Sequence, residues 1–88
     1  MNTEAKLLLM THAFETLGVG RLEWHTDLRN ERSQAAIARL GAVREGVLRR
    51  HKRRGDGTWR DTVLFAMTAE DWPVAKKTLV ARLGRGSD

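Results

Sequence analysis

Cysteine is absent from this 88-residue chain, which excludes disulfides and thiolate metal sites and leaves a reducing compartment unopposed. The three histidines, His12, His25 and His51, stand apart without the spacing that zinc ligands need. They are expected to be surface or structural residues, and no metal is expected. Long apolar runs are also missing. Lys6 is followed only by the short stretch Leu7 to Met10, with no small-residue cleavage region behind it. No stretch approaches the ~18 apolar residues of a membrane helix. A cytoplasmic protein without a membrane partner is the expectation. Repeats, low-complexity tracts and linkers are absent too, which suggests one continuous unit over residues 1–83 and a flexible tail at 84–88.

What the chain does have is charge. Sixteen Lys and Arg against eleven Asp and Glu give a net charge of +5, which suits a polyanionic partner without choosing one. Size sets a second bound, because a chain this short buries only roughly 60–65% of its unfolded surface.

The apolar pattern predicts six elements. Asn2 or Thr3 can cap a first helix, in which Leu7, Met10, Phe14 and Leu17 recur at 3-4-3 spacing and Leu9 and Ala13 widen the stripe. Gly18 ends it as a left-handed cap. Arg21 to Thr26 alternates, with Leu22, Trp24 and Thr26 on one face, and reads as a half-buried strand. Asn30 caps a second helix whose inner face carries Ser33, Ile37 and Leu40, and Gly41 closes it. A hairpin follows, with Arg44 to Arg54 outward, Gly55-Asp56-Gly57 turning and Thr58 to Thr68 returning. The Asp-Gly pair is expected to supply the positive φ angles. Val63 to Met67, apolar on both faces, suits a central strand, and the charged Arg49 to Arg54 suits an edge. Asp71 is expected to cap a last helix that tolerates Pro73 in its first turn and buries Trp72, Ala75, Leu79 and Leu83. The class is α+β, α/β-like, in the order helix-strand-helix-strand-strand-helix with a small, largely antiparallel sheet.

Residues 30–46, NERSQAAIARLGAVREG, carry the most specific pattern. Asn30 and Ser33 open the helix, Gly41 ends it, and Arg44-Glu45-Gly46 leads into a strand. With Asn2-Thr3-Glu4-Ala5-Lys6-Leu7-Leu8-Leu9 and Trp59-Arg60-Asp61-Thr62-Val63, this resembles the C-terminal half of the GNAT N-acetyltransferases. It is most similar to the RimJ/RimL branch, which acetylates ribosomal-protein N-termini. The resemblance spans residues 2–83. It implies transfer of acetyl from acetyl-CoA, the cosubstrate, to an amine such as a protein N-terminus or a small molecule.

The resemblance also implies roles. Met1 and Asn2 fall on the last two positions of the family's phosphate loop, so the amides of Asn2, Thr3 and Glu4 would face a phosphate, although the Glu4 carboxylate would repel it. Asn30 would contact the pantetheine arm, and Ser33 would donate to the departing thiolate. The plainer alternative makes Asn30 a helix cap and Ser33 an ordinary N3 residue. Asp61 is expected to order the sheet rather than to act as a base. A complete member has two earlier helices and four earlier strands. A truncated product, a start assigned too far downstream, or a stand-alone half-domain all fit the sequence. This chain is therefore expected to be weak or inactive by itself. The strand carrying Leu22 and Trp24 would have a bare edge and drive self-association, as in a homodimer.

Arg49, Arg50, Lys52, Arg53 and Arg54 offer a rival reading, a small basic RNA- or ribosome-binding module. Such a site interleaves aromatics with its cations, and Trp59 is the only aromatic nearby. Protection of an edge strand is the favoured reading of this cluster, and nucleic acid is not the expected partner.

Overall fold

In the computed structural model, residues 3–84 are described, and the element order matches the pattern above. Helix α1 (Thr3–Thr11) continues into a π-helical segment (His12–Thr16), followed by strand β1 (Arg21–Asp27) and helix α2 (Glu31–Arg39). Strands β2 (Val43–Arg53) and β3 (Trp59–Thr68) form the hairpin, and helix α3 (Trp72–Gly84) ends it. The strands make one three-stranded sheet in the order β1-β3-β2. β2 and β3 pair antiparallel. Leu28 N–H donates to Asp61 O at 3.0 Å and Ala69 N–H to Gly20 O at 2.9 Å, the two ends of an antiparallel β1–β3 pairing. β3 is central because its residues are apolar on both faces: Val63, Phe65, Ala66 and Met67 are all buried.

By compactness the chain divides into two units, Met1–Leu22 with Met67–Asp88, and Glu23–Ala66. Among the described residues of the first unit, α1 and α3 are in contact, and Met10, Phe14, Trp72, Ala75 and Leu79 are buried. Phe14 stacks on Trp72 with ring centroids 5.3 Å apart. The indole N–H of Trp72 donates to Glu15 Oε2 at 2.8 Å, and Lys76 Nζ donates to the same oxygen at 2.7 Å. In the second unit, Ile37, Ala42, Val63 and Phe65 form a core against which Trp24 packs.

Several expectations need correction. Leu9 and Leu17 are exposed, at 58% and 64%, rather than part of the buried stripe. Leu9 sits a third of a turn off the Met10–Phe14 line. Leu17 is rotated away by the π turn, in which its N–H reaches back to His12 O at 2.9 Å and one extra residue enters the turn. Gly18, with φ +69, still closes the segment as expected.

The hairpin turn is not the expected Asp-Gly pair of positive φ angles. Only Gly57, at φ +90, is left-handed there. Gly57 N–H donates to Arg54 O and Arg54 N–H to Thr58 O, a three-residue connection closed by a glycine bulge. Asp56 contributes through its carboxylate, which accepts from Thr58 N–H at 2.9 Å and Thr58 Oγ1 at 2.7 Å.

At α3, Asp71 directly precedes the first helical residue, and its carbonyl accepts from Ala75 N–H at 3.2 Å, the cap position expected of it, but its side chain turns back toward β3. Thr68 Oγ1 accepts from Asp71 N–H at 3.2 Å while Asp71 Oδ2 accepts from Thr68 N–H at 3.0 Å. This reciprocal pair closes the turn that leads from β3 into α3. Leu83 is half-buried, and α3 runs through Gly84, one residue into the expected tail. The remaining tail residues, 85–88, lie outside the described residues. Finally, His25 and His51 are not apart in space: their rings meet edge-on with centroids 5.6 Å apart.

Candidate functional site at the head of helix α2

The loop from β1 into α2 is short and polar, and its geometry follows from its residue types. Asn30 accepts from Ser33 N–H through Oδ1 at 3.0 Å, the N-cap bond expected of Asn three residues before a free helical donor. Asn30 N–H donates to Asp27 O at 2.9 Å. The cap uses the carboxamide oxygen, and the amide nitrogen carries two further donors. Ser33 is half-buried in the first turn of α2. Ile37 and Leu40, on the inner face, are 4% and 3% exposed and fix the helix.

A neighbouring network immobilises this loop. Asp27 Oδ1 accepts from Arg29 N–H at 3.0 Å. Arg54, arriving from the end of the hairpin, places Nη2 2.9 Å from both Asp27 oxygens and Nε 3.2 Å from Oδ2. Gln34 Nε2 donates to Leu28 O at 2.8 Å. The Arg29 amide first, and then the Arg54 guanidinium, hold the Asp27 carboxyl below the usual carboxylate range. Local spacing did not reveal the Asp27–Arg54 pair, because its partners are 27 residues apart. The one sequence signal was an unpaired Asp ahead of a helix cap and an Arg at a hairpin turn.

The remaining expected site residues belong to the other unit. Asn2 lies outside the described residues. Thr3 is the first residue of α1, and Glu4 is exposed in its first turn. The structure thus brings Asn30 and Ser33 together.

The basic hairpin is not a uniform row of cations. Arg54 is bound to Asp27, and Arg53 lies over the Trp59 ring, 5.2 Å from its centroid. Strand β2 is also broken. Leu48 pairs with Thr62 and Lys52 with Arg60, so Arg49, Arg50 and His51 stand opposite Asp61 alone. Arg50 takes φ +49, and its N–H donates to Asp61 Oδ1 at 2.8 Å. Asp61 therefore orders the sheet, as expected, by holding this bulge. His51 Nδ1 lies 3.0 Å from Thr62 Oγ1, and His25 Nε2 lies 3.2 Å from Glu23 Oε1. No group of three or more metal-ligating side chains forms among the described residues.

The family model described as the acetyltransferase (GNAT) domain matches residues 1–43. A solved structure from T. thermophilus, described as that of an acetyltransferase, is 55% identical and superposes with a TM-score of 0.89, covering 93% of this chain and 44% of its own. The chain is similar to the GNAT acetyltransferases. A GCN5-related N-acetyltransferase from Brucella melitensis is similar at 37% identity and TM-score 0.87, over 92% of this chain and 36% of its own. Mycobacterium smegmatis RimJ, solved in complex with CoA-disulfide, is 38% identical with a TM-score of 0.77, over 90% of this chain and 38% of its own. The chain therefore spans less than half the length of these relatives. No curated protein matches it. No helix among the described residues is long and apolar enough to cross a membrane.

Proposed function

We propose that this chain supplies part of a RimJ/RimL-type N-acetyltransferase, its C-terminal half, and works in the cytoplasm on a protein N-terminus or small amine. The observation that carries this reading is the Asn30–Ser33 cap at the head of α2, immobilised by Asp27, Arg54 and Gln34. The likeness to an M. smegmatis RimJ solved with a CoA derivative supports it.

In the proposed reaction the amine nitrogen attacks the thioester carbonyl of acetyl-CoA. The new C–N bond forms, the C–S bond breaks, and the electron pair leaves with sulfur. The nitrogen releases its proton to a base or to water. Ser33 Oγ donates a proton to the departing thiolate and recovers one from water. Asn30 uses its free amide donors to hold a carbonyl of the pantetheine arm, and the amides of Asn2, Thr3 and Glu4 take a phosphate oxygen. The donor set at the head of α2 fits acetyl-CoA: a fixed carboxamide and a hydroxyl on one helix turn.

Calorimetric titration of the 88-residue chain with acetyl-CoA tests the reading. Micromolar binding is expected. Asn30→Ser keeps a capping oxygen but removes the amide donors, so it should weaken acetyl-CoA binding while leaving the unfolding midpoint within error. Ser33→Ala should leave binding intact and lower transfer. Because the chain covers less than half of its relatives, turnover with peptide acceptors should be weak or absent. A folded chain that does not bind acetyl-CoA overturns the assigned cofactor contacts, and robust CoA release overturns the expectation of weak activity.

A further inference from the structure

The bulge in β2 has a shape and a chemistry that acetyl-CoA binding leaves unexplained. Val47, Leu48, Arg49, Arg50, His51 and Asp61 line an open groove of about 840 Å³. Bulges re-aim side chains at sheet edges, and this one holds an arginine in left-handed backbone, a conformation that persists only where its surroundings enforce it. The enforcing contact is the Asp61 carboxylate on the Arg50 amide. The groove thus sets Arg49 and Arg50 in one lining with Val47 and Leu48, which are 37% and 38% exposed.

We propose that this groove binds an acidic, partly apolar peptide segment, its carboxylates meeting Arg49 and Arg50 and an aliphatic side chain resting on Val47 and Leu48. Charge complementarity selects the sign of the partner. The lining selects peptide over nucleic acid. Stacking of bases needs aromatic faces beside the cations, and among the described residues Trp59 already carries Arg53 on its ring. Recognition runs through side chains rather than strand addition, because the bulge interrupts the regular ladder that an added strand needs. The identity of this peptide as the acetyl acceptor rests on the acetyltransferase reading above, whereas the binding itself does not.

The test is fluorescence anisotropy of a labelled, free-N-terminal peptide of Glu, Leu and Ala, titrated with the 88-residue chain. A neutral peptide with Gln for Glu and a single-stranded oligoribonucleotide serve as comparisons. The acidic peptide should bind at least tenfold more tightly than the neutral one, weaken as salt rises, and lose at least tenfold in affinity on Arg49→Glu. Arg50→Gly removes the second cation at a position whose φ suits glycine, so a folded variant is available if the charge reversal unfolds the chain. It should lose at least threefold. Equal affinity for the acidic and neutral peptides, no loss in either variant, or tighter binding of the oligoribonucleotide overturns the proposal. Titration of the same samples with acetyl-CoA separates the two readings. Loss of peptide preference with cofactor binding intact defeats only the groove, and the reverse pattern defeats only the acetyltransferase assignment.

Discussion

Asp27 is engaged in more bonds than its place at the end of a strand would suggest. It accepts from the Arg29 amide, receives the Arg54 fork, and presents its own carbonyl to Asn30. Its carboxyl is held below the ordinary value of 3.8 by the Arg29 amide first and Arg54 second. A carboxyl with a lowered native pKa adds stability that is fully present above the unfolded-state value. That stability is lost as the pH falls through the native value. Asp27→Asn should therefore lower the unfolding midpoint at pH 7 and flatten the stability profile below about pH 4. Urea unfolding at pH 7 and at pH 3 measures this, and identical pH profiles for the two proteins would sink it. Asn30 as a cap was legible from its neighbours, since the bond spans only three residues. Asp27 was not, because its partner arrives from the far end of a hairpin.

Among the elements, local chemistry was readable and departures from regular geometry were not. The alternation of β1, the caps at Asn30 and Gly41, and the doubly apolar β3 all follow from adjacent side chains, and the structure reproduces them. The π turn at His12–Thr16 and the bulge at Arg49–His51 depend on what packs against them. A 3-4-3 count therefore carried Leu17 into the core one residue too far. Asp71 ahead of Trp-Pro was legible as the residue before the last helix, but the return of its carboxylate to the Thr68 amide was not. The bulge yields a stability prediction. Left-handed backbone costs a non-glycine residue roughly 1–2 kcal/mol, and glycine returns about 0.5–1 kcal/mol of that through the entropy of the unfolded chain. Arg50→Gly should be the more stable protein by about 0.5–1 kcal/mol, read as a higher denaturant midpoint at unchanged slope. A lower midpoint would show that the Arg50 side chain contributes more than its backbone strain costs.

At the scale of the whole molecule, β1 has β3 on one side and no strand on the other among the described residues. Leu8, Leu9 and Leu17 add exposed apolar surface, at 65%, 58% and 64%. Both features favour self-association of the 88-residue chain. Light scattering should give a mass above 10.0 kDa that rises with concentration, and a constant monomer mass would rule this out. The order of strands in the sheet also bears on synthesis. β2 and β3 meet through a three-residue connection, so their pairing closes a short loop and can form early. β1 is made before either of them, yet its partner is the last strand to emerge. From the moment Asp27 leaves the ribosome until Thr68 follows, Leu22 and Trp24 sit on an unpaired strand. During that interval both edges of β1 are open, whereas in the folded chain β3 covers one of them.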